Sequence, residues 1–212
     1  MGIASFSGAS SVIKPGVVTS STRPSSPFVG QLIYETDTAR VAAYNGSAWI
    51  TQNALQLIKT QAIVAGAVTF TMSSAFSATY ENYLITIANM ACNAGGNQMR
   101  MTLNGTSGST YSSAYFNLDY SSSTVSGTVA SATSTGVSLG DQSTASTAFS
   151  IYVQSPFLAK ATTIYGTQVN ATGTRLFNGI DTNAASSTAF TLTMTANTFT
   201  SGTFQIYGIA TS

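Results

Sequence analysis

The sequence predicts an all-β protein with an extended N-terminal arm, a small β-meander and an antiparallel, jelly-roll-like β-sandwich. Three observations predict this class. From about residue 61 onward, apolar and polar residues alternate with the period of two that is typical of strands with one buried face. Turn residues (Gly, Ser, Asn and Pro) separate the runs. The pattern contains neither a long helical period nor a βαβ alternation, which argues against parallel α/β folds.

Residues 1–30 are predicted to form an extended attachment arm. Three of the four prolines, Pro15, Pro24 and Pro27, fall in this segment among serines and glycines, and no strand period is visible there. Such a segment buries too little apolar surface to fold alone, so we expect a partner to order it.

Residues 31–60 are predicted to form a small linker module whose first part is a three-stranded meander. Short apolar runs flank the charged turn 35–40 and the Asn45-Gly46 pair. Asn-Gly between two such runs predicts a hairpin with a type I′ turn, since both residues tolerate positive φ. Trp49 is predicted to be a packing anchor of this hairpin, and residues 53–60 fit either a helical turn or a strand.

Residues 61–212 are predicted to form the sandwich head, with apolar residues inside and hydroxyl-bearing residues outside. A jelly roll is the favoured version of such a sandwich, although the pattern does not fix strand order. About eight strands are predicted, at 61–72, 82–92, 98–104, 114–120, 149–154, 159–169, 190–195 and 203–207.

The stretch 105–147 is rich in Ser, Thr and Gly and permits two interpretations. It is either a long loop with weak strands near 124–129 and 137–139, whose aromatic residues pack in the core, or an exposed recognition surface. In the second case a polar partner such as a glycan would be contacted by tyrosines and a nearby carboxylate. The candidate receptor-contact residues are Tyr111, Tyr115, Asp119 and Tyr120.

Charge is scarce in this chain. Among 212 residues there are 7 Lys+Arg, 6 Asp+Glu and no His, against 31 Ser and 33 Thr. Without His, the usual Ser-His-Asp, Cys-His and His-based zinc sites are excluded. A net charge of +1 without a basic cluster is atypical of nucleic-acid binders. We predict a non-enzymatic protein without cofactor or metal.

Neither the pair of acidic residues in the first charged turn nor the single cysteine is predicted to be a reactive site. Glu35 and Asp37 lie in one charged turn opposite Arg40, where solvated charges are expected. Cys92 ends an apolar run and is predicted to be a small buried side chain. The N-terminus lacks a signal-peptide pattern, and no apolar run approaches the 18 residues of a membrane span. We therefore expect no membrane insertion.

The segment STRPSSPFVGQLIYETDTAR (residues 21–40), followed by YNGSAW (residues 44–49), resembles a module of tailed-bacteriophage virion proteins. This module occurs in tail fibres, minor tail proteins and head-surface proteins. The runs 75–87 and 202–209 are similar to the β-sandwich heads of such proteins. The resemblance implies an N-terminal attachment arm, a linker hairpin and a β head that assembles as a homotrimer in the virion.

Three functions are compatible with this layout. The chain could be a tail-fibre, receptor-binding component whose head touches a host surface glycan. Alternatively it is a capsid decoration protein, a cement or head fibre bound to the major capsid protein; a carbohydrate-binding module is the lesser alternative. In both virion roles the arm binds other virion proteins of the tail, neck or capsid. The candidate attachment residues are Lys14, Pro15, Arg23, Pro24 and Pro27.

Overall fold

The structure is a computed structural model that describes residues 15–51, 55–96, 98–104, 110–122, 125–141 and 143–209. The described residues form strands, turns and bends without a helix, which confirms the predicted all-β class. The chain divides between residues 53 and 54 into two compact units. We call residues 15–51 the N-terminal unit and residues 55–209 the head.

The N-terminal unit is one four-stranded sheet in the order β1-β2-β3-β4. Its strands are β1 (Gly16–Val18), β2 (Leu32–Glu35), β3 (Arg40–Tyr44) and β4 (Trp49–Thr51). Strands β2 to β4 are the predicted meander. β1 lies in the segment predicted to lack strand structure, and it pairs in parallel with β2. The sequence missed it because three residues are too few to show a period.

The turn at Asn45-Gly46 differs from the predicted type I′ turn. Gly46 has a positive φ of 105°, but Asn45 does not share it, and four residues separate β3 from β4. The Asn45 side-chain oxygen accepts hydrogen bonds from the amides of Ser47 and Ala48 at 2.9 and 2.8 Å. The side-chain amide therefore closes a wider loop than the dipeptide alone would form. Trp49 packs against Tyr44, with ring centroids 5.4 Å apart.

The head contains twelve strands in its described residues, more than the eight predicted. Their bounds are β5 (Leu55–Ala62), β6 (Thr69–Met72), β7 (Asn82–Cys92), β8 (Gln98–Leu103), β9 (Tyr111–Asp119), β10 (Val125–Ser134), β11 (Val137–Asp141), β12 (Thr147–Gln154), β13 (Thr162–Val169), β14 (Gly173–Asp181), β15 (Phe190–Met194) and β16 (Phe199–Ile209). β14 was not predicted at all. Residues 55–60, grouped by the sequence with the linker module, belong to the head as part of β5, which pairs with β16.

The two sheets of the head have the order of a jelly roll. The larger sheet runs β10-β9-β14-β13-β12-β7-β16-β5, and the smaller sheet runs β11-β8-β15-β6. Strands β5 to β8, β11, β12, β15 and β16 form the eight-stranded roll, because successive strands alternate between the sheets at almost every step. Two inserted hairpins, β9–β10 and β13–β14, extend the larger sheet by four strands. The jelly-roll-like fold predicted from the sequence is therefore confirmed.

The core lies between the two sheets of the head. Phe70 of the smaller sheet stacks on Phe204 of the larger one, with ring centroids 4.1 Å apart. Met99, Met101 and Leu192 of the smaller sheet are buried against Ile85 and other apolar side chains of the larger sheet. Cys92 belongs to this core, as predicted, and its burial raises the pKa of the thiol.

Candidate functional site

The candidate site is a polar pocket in the head, which we call the rim pocket. Three neighbouring strands of the larger sheet contribute Gln168, Arg175 and Asn117, which are paired in register across β13, β14 and β9. Strand β11 of the smaller sheet contributes Asp141, and the β13–β14 turn contributes Asn170 and Thr172. The cavity has a volume of about 310 Å³. It therefore has the size of a small-ligand site.

A β-bulge at Gly140 directs Asp141 toward the pocket. The pairing of β11 with β8 shifts register between Ser138 and Gly140. The bulge changes the direction of the last residues of β11. Gly140 has a φ of +144°, and a Cβ at this position would lie 1.7 Å from the side-chain oxygen of Gln168. Gln168 is buried and donates a 2.5 Å hydrogen bond to the Asp141 carbonyl. Only glycine allows this close approach.

Arg175 is the central residue of the rim pocket. Its Nη2 donates to Oδ2 of Asp141 at 2.5 Å, and its guanidinium carbon lies 4.4 Å from the centroid of the Tyr115 ring. The Arg175 side chain is only 6% exposed, whereas the Asp141 side chain is 45% exposed. The ion pair and the cation–π contact together compensate part of the cost of burying the charge.

Two donors of Arg175 are left without a partner. Its Nε and Nη1 are buried and make no hydrogen bond with the described part of the chain. Buried polar groups in folded proteins are nearly always paired, and an unsatisfied donor costs about 1–3 kcal/mol. Because both atoms are shielded from solvent, a ligand in the pocket does not reach them, and they add to the cost of burying Arg175.

The predicted receptor-contact residues separate into different environments. Tyr111 is buried, and its hydroxyl accepts a 2.8 Å hydrogen bond from the Leu103 amide, so it packs in the core and is withdrawn as a contact residue. The Tyr115 ring makes the cation–π contact with the Arg175 guanidinium and therefore packs inside the head. Tyr120 is 63% exposed, and its hydroxyl is 2.7 Å from that of Thr174, which lines the rim pocket.

Asp119 lies at the end of β9 but does not line the rim pocket. Its side-chain oxygen accepts hydrogen bonds from the amide and the hydroxyl of Ser121, each at 2.8 Å. These bonds, the amide first, lower the pKa of Asp119 below its usual value. Its carboxylate thus closes the turn after β9.

The predicted attachment residues lie in or beside the N-terminal unit. Lys14 falls outside the described residues, and Pro15, Pro24 and Pro27 are half-buried. Arg23 forms an ion pair with Glu35, whose side chain is 1% exposed. The expectation of a solvated Glu35 was therefore wrong, because the carboxylate is enclosed by Arg23 and by the Thr38 hydroxyl, which donates to it at 3.0 Å.

Hydrogen bonding lowers the pKa of both carboxyls in this turn. The hydrogen bond from Arg23 is the main cause at Glu35, and burial acts in the opposite direction. At Asp37 the main cause is the Ser20 hydroxyl, which donates at 2.5 Å, followed by the Ser20 amide. Both residues thus fasten the segment before β2 to the turn after it.

The residues that build the rim pocket were mostly missed by sequence reasoning. Asp141, Arg175, Gln168 and Asn117 do not stand out in the sequence. Three of these four side chains meet through cross-strand register, which spacing along the sequence does not reveal. No local signal marks Arg175, because β14 lacks the apolar alternation by which a strand is recognised.

The described residues contain no cluster of three or more potential metal ligands. They also contain no helix that is long and apolar enough to cross a membrane. Comparison of the chain with family models, with curated proteins and with solved structures gave no match.

Proposed function

We propose that this chain is a structural protein of a bacteriophage virion, a trimeric tail-fibre component that binds the host surface with its head. In this proposal the N-terminal unit attaches to other virion proteins and the rim pocket faces a host glycan. The protein acts by binding and not by catalysis.

The observation that carries the proposal is the role of the phage-like segment in the N-terminal unit. The ion pair of Arg23 with Glu35 and the loop closed by Asn45 lie within this segment, and its Asp37 binds Ser20 just before it. The segment thus forms most of a compact unit that is separate from the head. This supports the proposal, because a module shared among virion proteins is expected to fold as a unit of its own.

The outward face of the larger sheet supports assembly of the head with copies of itself. Phe116, Leu176, Tyr165 and Tyr152 lie on this face along four neighbouring strands, β9, β14, β13 and β12, and all four are exposed. The two tyrosines stack with ring centroids 5.2 Å apart. None of the outward residues of these four fully described strands is charged. Charge depletion and exposed aromatic residues are typical of the centre of protein interfaces.

Capsid decoration is the alternative, since a small attachment unit and an inert β head serve that role equally well. The rim pocket favours adhesion, because a polar pocket of ligand size with an exposed carboxylate suits a binding head, whereas decoration does not require one. A free carbohydrate-binding module is the lesser candidate, as it gives no role to the phage-like segment.

Copy number tests the proposal. Quantitative mass spectrometry of purified particles should find the chain at the abundance of tail proteins, with a few trimers per particle. An abundance comparable to that of the major capsid protein would reject the tail position and favour decoration. Absence from purified particles would reject both virion roles.

A further inference from the structure

Resting on the adhesion function proposed above, the geometry points to the class of ligand: we propose that the rim pocket binds an uncharged sugar ring whose neighbouring hydroxyls donate to the Asp141 carboxylate. The proposal follows from the free acceptor positions of Asp141, the charge balance and the size of the pocket.

The Asp141 carboxylate lines the pocket and calls for donors on the ligand. It is 45% exposed and keeps acceptor capacity beyond the single bond from Arg175, since a carboxylate offers about four lone-pair positions. Neighbouring hydroxyls of a sugar ring can donate to this carboxylate, and their oxygens can accept from polar side chains of the lining such as Asn117.

The charge balance of the pocket selects against ions. Arg175 and Asp141 form an ion pair, and the other described residues that line the pocket are uncharged. A ligand carboxylate or phosphate near Arg175 would also meet the Asp141 carboxylate, and a cation near Asp141 would meet the guanidinium. Either ion would face a like charge at short range, which disfavours binding. An uncharged polyhydroxyl ligand avoids both conflicts.

The size of the pocket and its neighbourhood fit one ring of a longer chain. A volume of about 310 Å³ equals that of roughly ten water molecules, which suits a single sugar ring. A shallow depression formed by Tyr120, Ser121 and Ala171 adjoins the pocket through Thr172, which lines both. The exposed Tyr120 ring offers an apolar face to the next sugar, while the polar side chains hold the first.

The test is a titration of the full-length protein with uncharged and charged sugars, followed by NMR chemical-shift mapping. The probes are the methyl glycosides of glucose, galactose and mannose, with N-acetylneuraminic acid as the anionic probe. At least one methyl glycoside should bind, with the largest shifts at Asn117, Asp141 and Arg175. Asp141→Asn should weaken that binding about tenfold or more, as expected for a lost hydrogen bond to a charged group.

Glu81→Gln is the matched control. The Glu81 carboxylate is 47% exposed, close to the 45% of Asp141, and is ion-paired with Lys160, but it lies outside the pocket. This variant should bind the glycoside as the wild type does. Shift mapping on the wild-type chain tests the site without a variant, should Asp141→Asn fail to fold.

Three outcomes overturn the inference: stronger binding of N-acetylneuraminic acid than of every methyl glycoside, shifts remote from the pocket, or equal losses in Asp141→Asn and Glu81→Gln. Absence of sugar binding by a protein that still competes with the phage for host cells would reject the ligand class and leave adhesion standing. Sugar binding in the pocket by a protein that does not compete would support the site and reject adhesion.

Discussion

Replacement of Gly140 by alanine tests the link between the jelly roll and the rim pocket. The new Cβ would lie 1.7 Å from Oε1 and 2.6 Å from the amide carbon of Gln168. Gln168 would have to leave its position, and its bond to the Asp141 carbonyl would break. The φ of +144° is also unfavourable for alanine.

The expected loss of stability is the sum of two effects. A non-glycine residue at such a φ costs about 1–3 kcal/mol. Leaving the buried Gln168 amide without its acceptor costs about 1–3 kcal/mol more. A total of about 2–6 kcal/mol is large against the roughly 5–15 kcal/mol of a typical domain.

Urea unfolding followed by far-UV circular dichroism measures this loss, since the head holds most of the strands. Gly66→Ala is the matched control: Gly66 also has a positive φ, of +85°, but nothing lies within 4 Å of its added Cβ. The difference between the two variants isolates the clash. Combining Gly140→Ala with Gln168→Ala should cost less than the sum of the single changes, because the small side chain removes the clash. A Gly140→Ala protein that is no less stable than Gly66→Ala would refute the role assigned to the bulge.

Three further predictions concern the core, the thiol and the N-terminal unit. Phe204→Ala should destabilise the head by about 3–5 kcal/mol, because it opens a cavity beside Phe70. Val64→Ala should cost much less, because Val64 is 74% exposed, and similar unfolding midpoints for the two variants would contradict the core assignment. The Cys92 thiol should react with Ellman's reagent far more slowly in the folded protein than in urea, because burial raises the pKa of the thiol and blocks access to the sulfur. Equal rates in the two conditions would show that the thiol is not buried. Trp49 is the only tryptophan, so its fluorescence reports on the N-terminal unit. Because the folded pKa of Glu35 is lowered, its stabilisation should be complete above pH ~4.3 and be lost as the pH falls through the lowered value. Glu35→Gln should flatten this acid transition, and an unchanged transition in that variant would disprove the assignment.

The β class and most of the head strands follow directly from the sequence because their inner positions are apolar. In β12, for example, Phe149, Ile151 and Val153 are buried and alternate with exposed residues. Burial of one face enforces this alternation, and so the pattern is visible without knowledge of the partners.

Strand β14 was not predicted because most of its inward positions are not apolar. Its inward positions are Gly173, Arg175, Phe177, Gly179 and Asp181, of which only one is a large apolar residue. The glycines are required by close neighbours: a Cβ at Gly173 would lie 2.4 Å from the Leu118 carbonyl oxygen. Each charge has a partner for part of its polar atoms: Arg175 pairs with Asp141, and one oxygen of Asp181 accepts from the Thr110 hydroxyl at 2.7 Å. The strand that departs most from the alternating pattern thus carries the central residue of the candidate site.

The pocket itself could not be predicted because it depends on register and on a bulge. Arg175 and Asp141 are 34 residues apart, and they meet only where β11 packs against the larger sheet. The 105–147 stretch, which the composition sets apart, contains β9. The composition does not show that Tyr111 faces the core while Tyr120 faces solvent, since that distinction depends on the parity of the strand.

Competition for host adsorption tests whether the head binds a host surface, as proposed. Host cells would be incubated with the purified protein before particles that carry the same protein are added, with Asp141→Asn protein in a parallel sample. The wild-type protein should slow adsorption in a dose-dependent manner, and the Asp141→Asn protein should do so much less. Unchanged adsorption at saturating wild-type protein would contradict the claim that this head binds the host surface.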